Sequence, residues 1–474
     1  MKSTQRRRTF NAGLAFLAAA SLLVLSACAD GGVPATTSAA QPSSAPPATS
    51  AAPTGSKIRV AYQKTATFTQ LDDLMKKAKT EYEAAHQGNT VELVAIEAEQ
   101  DQYFTKLALM EGSPDTAPDV IYEDTFQVRS DAAAGYLMPI DDYVNAWADW
   151  GQFPDNAKKA GAGDDGKIYG VSMGSDTRGL YFRKDIFQKA GLPADWQPKT
   201  WDDVLAAART VKAKVPGVIP FNIYAAKAFG EGTTMQAFEM LLYGTQQQLM
   251  DPATNKWLTK SPGYTASMGF IQTVFKEKLG PSIDQALDAS LGGKVSTEWL
   301  PQGKLAIALD GSWLPGQWIT GEHKWPESKD LIGLAMMPTQ TGQAPGGVSM
   351  SGGWLLSVGA HAKDPQAAFN FISTALNKEN SMKYDVEAGQ IAVRNDVAAD
   401  PAYTGANWSF PFFSSLMAVT HFRPATPDYP QISQYIQQGC EAVATGQQTP
   451  QQATDAYDQA LIGVVGQENT QAAK

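Results

Sequence analysis

Short apolar strand segments alternate with amphipathic helical segments along most of this chain. Residues 58–62 form an apolar run, and residues 71–85 follow with apolar side chains every three or four positions. Residues 90–96 return to a strand pattern, and residues 120–122 begin another strand after the break at Pro118. Alternation of this kind predicts an α/β fold, although by itself it leaves many α/β folds open.

The alternation continues to the C-terminus. Residues 57–474 are too many for one ordinary hydrophobic core, so the sequence predicts two lobes. The 43% apolar and 18% charged composition is that of a soluble globular protein. The further segments are helices at 201–214, 234–243, 267–278, 431–444 and 450–464, and strands at 217–223, 305–309 and 354–358.

The N-terminus has the pattern of an export signal. Arg6, Arg7 and Arg8 precede a nearly continuous apolar run at residues 12–25, which is too short to span a bilayer. The run ends in Leu-Ser-Ala-Cys, which resembles the bacterial lipobox. This resemblance implies a signal peptide over residues 1–27 and a lipid on Cys28 at the extracellular face of the cell membrane. The arginines also resemble a twin-arginine signal, so the export route stays open.

A low-complexity segment follows Cys28. Residues 29–56 are dominated by Ala, Ser, Thr, Pro and Gly and lack large apolar side chains. Such a segment buries too little apolar surface to offset the conformational entropy that it would lose on ordering. We therefore predict that residues 28–56 carry the lipid and form a flexible tether, which would hold a globular domain near the membrane.

The net charge and the histidine and cysteine residues limit the classes of function that this chain can have. A formal net charge of −10 disfavours a nucleic-acid partner. The four histidines show no metal-ligand spacing, so we predict no metal and no cofactor, although sites made only of carboxylates stay open. Cys440 is the only cysteine besides Cys28, which excludes an internal disulfide once Cys28 carries lipid.

One long segment carries a family resemblance. Residues 165–192 read DGKIYGVSMGSDTRGLYFRKDIFQKAGL and resemble the lobe-crossing signature of sugar-type extracellular solute-binding proteins. The segments APDVIYEDTF, GKLAIALDGSWL and SGGWLLSVGAHAKDPQAAFNFI agree with the same family in their order. The resemblance spans essentially residues 57–465 and is to the maltose-binding type.

The resemblance implies a two-lobed periplasmic-binding-protein type fold, with hinge-connected lobes and a ligand cleft between them. It implies a monomeric, non-enzymatic protein that captures an oligosaccharide and delivers it to the permease subunits of an ABC importer. The implied lobes are residues 57–173 with 357–398, and residues 178–352 with 403–466. Residues 467–474 are predicted to be a flexible tail.

Sugar sites combine aromatic platforms with polar groups that bind hydroxyls in pairs. The resemblance places a stacking residue at Trp313 after Asp310, and a cleft-lining Trp354 after Gly353, where glycine permits close approach to a ligand. Asp176, beside Arg178 at the lobe crossing, corresponds to an acidic sugar contact of the family. The further candidates are Gln63, Lys64, Glu123, Asp124, Glu231 and Arg423; Trp408 and Phe410 are cleft or core aromatics.

Two alternatives stay open at this point. A secreted glycoside-acting enzyme would also present aromatics and paired carboxylates, and a carbohydrate-sensing co-receptor could use the same fold. The chain also departs from the maltose type, because Ile436 occupies the place of a late stacking tryptophan. Maltodextrin is therefore disfavoured as the ligand.

Overall fold

A computed structural model describes residues 55–320 and 322–474 of the chain. The predicted signal peptide, Cys28 and the tether up to residue 54 lie outside these residues. No helix in the described part has both the length and the apolar character needed to cross a membrane.

The first lobe is built on a five-stranded mixed sheet. Its first three neighbouring strands are parallel, and the fourth is antiparallel to both strands beside it. In spatial order the strands are Thr90–Glu97, Lys57–Lys64, Val120–Asp124, Trp354–Val358 and Gly170–Ser172.

Helices cover this sheet and form its hydrophobic core. Helix Gln70–Ala85 buries Leu71, Met75, Ala78 and Tyr82, whose spacing puts them on one face of the helix. Tyr82 meets Phe371 edge to face, with ring centres 5.9 Å apart. The other helices of this lobe are Gln100–Glu111, Val128–Ala134, Asp141–Ala146, Ala148–Gln152 (3₁₀), Asp155–Ala160, Pro365–Ala375, Lys378–Ala388 and Asn395–Ala398.

The second lobe has a four-stranded sheet and its own larger core. Its strand order is Ile332–Ala335, Arg178–Arg183, Leu305–Gly311 and Ile219–Asn222. Two small sheets flank it, one with Met337–Pro338, Gly347–Ser351 and Thr420–Phe422, and one with Thr470–Ala472, Lys256–Thr259 and Met250–Asp251.

The helices of the second lobe start at clear sequence signals. Helix Trp201–Lys214 begins with a capping box, in which the Asp203 backbone N–H donates to Thr200 Oγ1 at 3.2 Å. The remaining helices are Lys184–Ala190, Lys227–Phe229 (3₁₀), Glu231–Thr233, Thr234–Glu239 (π), Met240–Gly244, Pro262–Lys276, Ile283–Ala286, Leu291–Lys294, Val295–Trp299 (π), Leu314–Ile319, Ser328–Leu331, Phe410–Ser415, Leu416–Val419 (3₁₀), Tyr429–Ala444, Pro450–Val465 and Gln467–Asn469 (3₁₀). Helix Pro401–Thr404 packs instead against the first-lobe helices Lys378–Ala388 and Asn395–Ala398.

The chain crosses between the two sheets at narrow places. One crossing lies between strands Gly170–Ser172 and Arg178–Arg183, and another lies between Gly347–Ser351 and Trp354–Val358. The backbones of Ser175 and Ile391 form two hydrogen bonds, with nitrogen-to-oxygen distances of 2.9 and 2.7 Å. A third segment is thereby paired with the first crossing.

Two boundaries differ from those expected from the sequence. The whole strand Trp354–Val358 belongs to the first-lobe sheet, so that segment begins before residue 357. In the predicted flexible tail, residues Thr470–Ala472 form a strand parallel to Lys256–Thr259. Pairing with Val120–Asp124 places the strand Trp354–Val358 in the first lobe, and pairing with Lys256–Thr259 orders the end of the chain. Local side-chain pattern does not report which distant strand a segment pairs with.

Candidate functional site

A cavity of about 430 Å³ lies between the two lobes. The carboxyl ends of three strands open onto it, through Gln63, Asp124 and Asp310. Ligands of open α/β sheets bind at this edge, because the loops that follow the strands converge there.

The structure brings most of the predicted site residues together. Trp313 and Trp354 supply aromatic surface, while carboxylates, amides and arginines supply hydrogen-bonding groups. The predicted residues that line the cavity are Gln63, Asp124, Asp176, Arg178, Glu231, Asp310, Trp313, Gly353, Trp354 and Arg423.

Two predicted residues point elsewhere. Lys64 Nζ lies 3.6 Å from Asp72 and 3.5 Å from Glu97, outside the cavity lining. Glu123 is fully buried behind the strand that carries Asp124. Successive residues of a strand face opposite sides of the sheet, so only one residue of each predicted pair can reach the cavity. Lys64 and Glu123, which were predicted as site residues, therefore lie outside the cavity lining.

Glu123 belongs instead to a cluster of carboxyl groups. Oxygens of Glu111, Glu123 and Asp131 lie within 4.8 Å of one another. Burial and mutual repulsion raise the pKa of Glu111 to about 8, and burial raises that of Asp131 to about 7. The pKa of Glu123 is also raised well above its ordinary value, by burial first and then by its two acidic neighbours. At neutral pH, Glu111 is therefore mainly protonated and Asp131 is partly protonated.

Arg423 joins the two lobes across the cavity wall. Its Nη2 lies 2.6 Å from Asp124 Oδ1 of the first lobe, and its Nη1 lies 3.1 Å from Glu231 Oε2 of the second. Nη2 also donates to Thr125 Oγ1 at 3.0 Å. Burial raises the pKa of Asp124 and of Glu231, although attraction to Arg423 acts in the opposite direction.

Arg178 organises the crossing side of the cavity. It forms an ion pair with Asp176, and Asp176 Oδ1 also accepts the Gly352 backbone N–H at 2.9 Å. The guanidinium carbon lies 4.9 Å from the ring centre of Trp313, a cation–π arrangement that orients the indole. The predicted hinge carboxylate, arginine and tryptophan thus form one connected group.

Asp310 is a buried carboxylate at the end of its strand. It accepts hydrogen bonds from the Tyr224 hydroxyl at 2.6 Å and from the Gly311 backbone N–H at 2.8 Å. Burial raises its pKa to about 6. Tyr224 in turn stacks on Phe229, with ring centres 4.0 Å apart. At neutral pH the site therefore presents a mainly ionised carboxylate beside an aromatic pair.

Trp354 lies in an aromatic stack. Its ring centre is 4.2 Å from that of Tyr122, with an interplanar angle of 3°, and Phe104 lies 5.8 Å away at 15°. At the preceding position, a Cβ atom on Gly353 would lie 2.5 Å from the carbonyl oxygen of Gly174. The glycine is thus required where two crossing segments meet, whereas the sequence suggested an approach to ligand.

Several lining residues were not anticipated from the sequence. Tyr122 could have been found, because it shares a strand face with Asp124. Two π-helical segments, Thr234–Glu239 and Val295–Trp299, supply Gln236 and Glu298, and such turns leave no recognisable local pattern. The other unanticipated polar or aromatic lining residues include Glu99, Tyr224, Phe229, Lys294, Gln317, Tyr384 and Gln390.

The remaining aromatic candidates lie outside the cavity lining. Phe410 stacks on Tyr403 at 4.6 Å in a small separate cluster, and Trp408 packs against the second-lobe core. Ile436 is fully buried in that core, as is the free thiol of Cys440. All four positions therefore contribute packing.

Comparisons with known proteins identify the family. The model of the bacterial extracellular solute-binding proteins matches residues 65–382. A probable ABC transporter-binding protein of Deinococcus radiodurans is 24% identical over 389 residues, which is 80% of this chain and 87% of the relative.

Solved structures share the fold. The GacH receptor of Streptomyces glaucescens, solved unliganded and with acarbose, has a TM-score of 0.73 at 20% identity, covering 87% of this chain and 99% of its own. An ABC transporter solute-binding protein of Agrobacterium radiobacter in complex with ribitol has a TM-score of 0.72 at 20% identity, covering 86% and 98%. The predicted two-lobed α/β fold is confirmed.

The relatives and structural neighbours are binding proteins, so the reading of this chain as a glycoside-acting enzyme is set aside. The resemblance predicted from the lobe-crossing segment agrees with the family match over residues 65–382. The chain belongs to the bacterial extracellular solute-binding proteins.

Proposed function

We propose that this protein is the substrate-binding lipoprotein of an ABC importer and that it captures a di- or trisaccharide between its lobes. The observation that carries the proposal is the cavity of about 430 Å³, to which both lobes contribute aromatic and hydrogen-bonding side chains. Its volume lies within the range of about 300–1,000 Å³ of small-molecule sites. A small oligosaccharide fits that size better than a polymer does.

The chemistry of the lining supports a saccharide. Trp313 and Trp354 offer apolar ring surface to the C–H groups of a sugar, and Asp176, Asp310 and Gln63 offer partners for hydroxyl groups. Among similar proteins, one structure was solved with acarbose, one with the sugar alcohol ribitol, and one relative is named a lactose-binding protein.

Closure would couple binding to delivery. A ligand that touches both lobes only when they are closed shifts the population toward the closed form. The permease of the importer would recognise that form, and a lipid on Cys28 would keep the protein beside it. A carbohydrate-sensing co-receptor would bind the same ligands without transport, so loss of saccharide uptake in a deletion strain distinguishes the two.

Binding is tested by thermal shift and calorimetry against a panel of di- and trisaccharides that includes trehalose, maltose, cellobiose, xylobiose and chitobiose. At least one saccharide should raise the melting temperature, because a ligand of the folded state stabilises it. Trp313→Ala should remove that shift while the unliganded protein still melts cooperatively. Trp150→Ala, outside the cavity, is the control. A panel without any shift would contradict saccharide binding.

The lipid anchor is tested separately. Radiolabelled palmitate should be incorporated into the wild-type protein, and Cys28→Ala should abolish incorporation and release the protein into the medium. A Cys440→Ala variant controls for thiol loss, because Cys440 is buried in the second-lobe core. Membrane retention of the Cys28→Ala protein would remove the lipid from the proposal.

A further inference from the structure

The charged groups that line the cavity are unequal in number. Three are cationic and six are carboxylates. The cations are Arg178, Lys294 and Arg423, and the carboxylates are Glu99, Asp124, Asp176, Glu231, Glu298 and Asp310.

Each lining cation is already engaged. Arg178 pairs with Asp176, and Arg423 pairs with both Asp124 and Glu231. Lys294 pairs with Asp288, a residue just outside the lining. A ligand anion would therefore have to compete with a carboxylate for any of these three cations.

Three lining carboxylates have no ion-pair partner within residues 55–320 and 322–474: Glu99, Glu298 and Asp310. Asp310 is only 2% exposed, and its hydrogen-bond donors are the neutral Tyr224 hydroxyl and the Gly311 N–H. Glu99 is half-buried, and burial followed by repulsion from Asp288 raises its pKa. Carboxylates in such surroundings are stabilised by an added cation and destabilised by an added anion.

We infer that the site selects saccharides by charge: it prefers a saccharide that carries a protonated amine to its uncharged parent, and it rejects one that carries a carboxylate or phosphate. The inference rests on the proposed saccharide function and adds a charge class to it. The unpaired carboxylates supply the preference, and Asp310, as the most buried of the three, contributes most.

Calorimetry on matched sets of saccharides tests this inference. Each set shares one framework: glucosamine, glucose and glucuronic acid; galactosamine, galactose and galacturonic acid; and the glucosamine disaccharide, cellobiose and cellobiouronic acid. Within a set that binds, the amine should bind about tenfold more tightly than the neutral sugar, and the acid at least about tenfold more weakly. Equal affinities for the neutral sugar and its acid would overturn the inference.

Variants locate the preference. Asp310→Asn keeps the size and polarity of the side chain and removes its charge, so it should reduce the amine-to-neutral affinity ratio by about tenfold. Because the readout is a ratio, a general loss of affinity does not mimic the result. Asp195→Asn removes an exposed second-lobe carboxylate outside the lining and should leave the ratio unchanged.

The outcomes separate the two proposals. If no saccharide in the three sets or in the wider panel binds, both the saccharide function and the charge selection are contradicted. If saccharides bind and the affinities within a set are equal, only the charge selection is contradicted. An unchanged ratio in Asp310→Asn with a preserved preference in the wild type would remove Asp310 as its source.

Discussion

At the scale of single residues, Arg423 has the largest structural consequence. The residue is only 8% exposed, and its guanidinium pairs with Asp124 and Glu231, which come from different lobes. Burial works against the charge, but attraction to these carboxylates raises the pKa of the guanidinium above its ordinary value. Removal of one partner from a buried group of this kind leaves the remaining charges without compensation.

We predict that Arg423→Met lowers the free energy of unfolding by about 3 kcal/mol or more, because two buried carboxylates lose their counter-ion. Urea unfolding followed by circular dichroism measures the loss. Arg209→Met is the matched control: Arg209 pairs with Glu277 at 2.7 Å on the surface, and its removal should cost less than about 1 kcal/mol. Equal losses of unfolding free energy in the two variants would show that burial of the Arg423 ion pairs adds nothing to stability.

At the scale of elements, the carboxyl cluster contains one residue from each of three packed segments of the first lobe. Glu111 ends helix Gln100–Glu111, Glu123 lies in strand Val120–Asp124, and Asp131 lies in helix Val128–Ala134. The folded protein keeps protons on these groups, whereas the unfolded chain releases them above about pH 4. Stability from this cluster is therefore complete below about pH 4 and is lost as the pH rises toward about 8.

We predict that Glu123→Gln reduces the dependence of stability on pH, because the amide removes one of the three carboxyl groups that repel one another when ionised. The variant should gain stability relative to wild type at about pH 8 and gain less at about pH 5. Melting temperatures across this range measure the effect, with Glu277→Gln as a surface control. A variant that loses as much stability at about pH 8 as at about pH 5 would contradict a proton-holding cluster.

At the scale of the whole molecule, a glycine lies where the two lobes face each other. Gly293, in helix Leu291–Lys294 of the second lobe, faces Thr67 of the first lobe. A Cβ atom at position 293 would lie 3.0 Å from Thr67 Cγ2. A longer side chain there must separate the lobes or displace the loop that carries Thr67.

We predict that Gly293→Leu weakens saccharide binding about tenfold and prevents full compaction on ligand addition, because it opposes the closed form. Calorimetry and the radius of gyration from solution scattering report the two effects. Gly463→Leu places the same side chain in helix Pro450–Val465, where a Cβ atom meets nothing within 4 Å beyond the local helix backbone, and this variant should bind normally. Unchanged affinity in Gly293→Leu would argue against closure at this contact.

Much of the fold followed from local pattern. The predicted segments at 201–214 and 354–358 coincide with helix Trp201–Lys214 and strand Trp354–Val358, since periodicity and capping residues are local properties. The predicted helix at 234–243 is instead a π-helical turn that continues into a short α-helix. Its lining residues were missed for this reason.

The sequence by itself determined the alternation of strands and helices, the types of side chain in the candidate site and the resemblance to a family, because each is written in neighbouring residues. The tertiary structure alone decided which member of each adjacent pair faces the cavity, as for Gln63 and Asp124. It also decided that Arg423 pairs with Asp124, 299 positions away, and with Glu231, 192 positions away. Such pairings depend on how the lobes cross, and no local pattern records them.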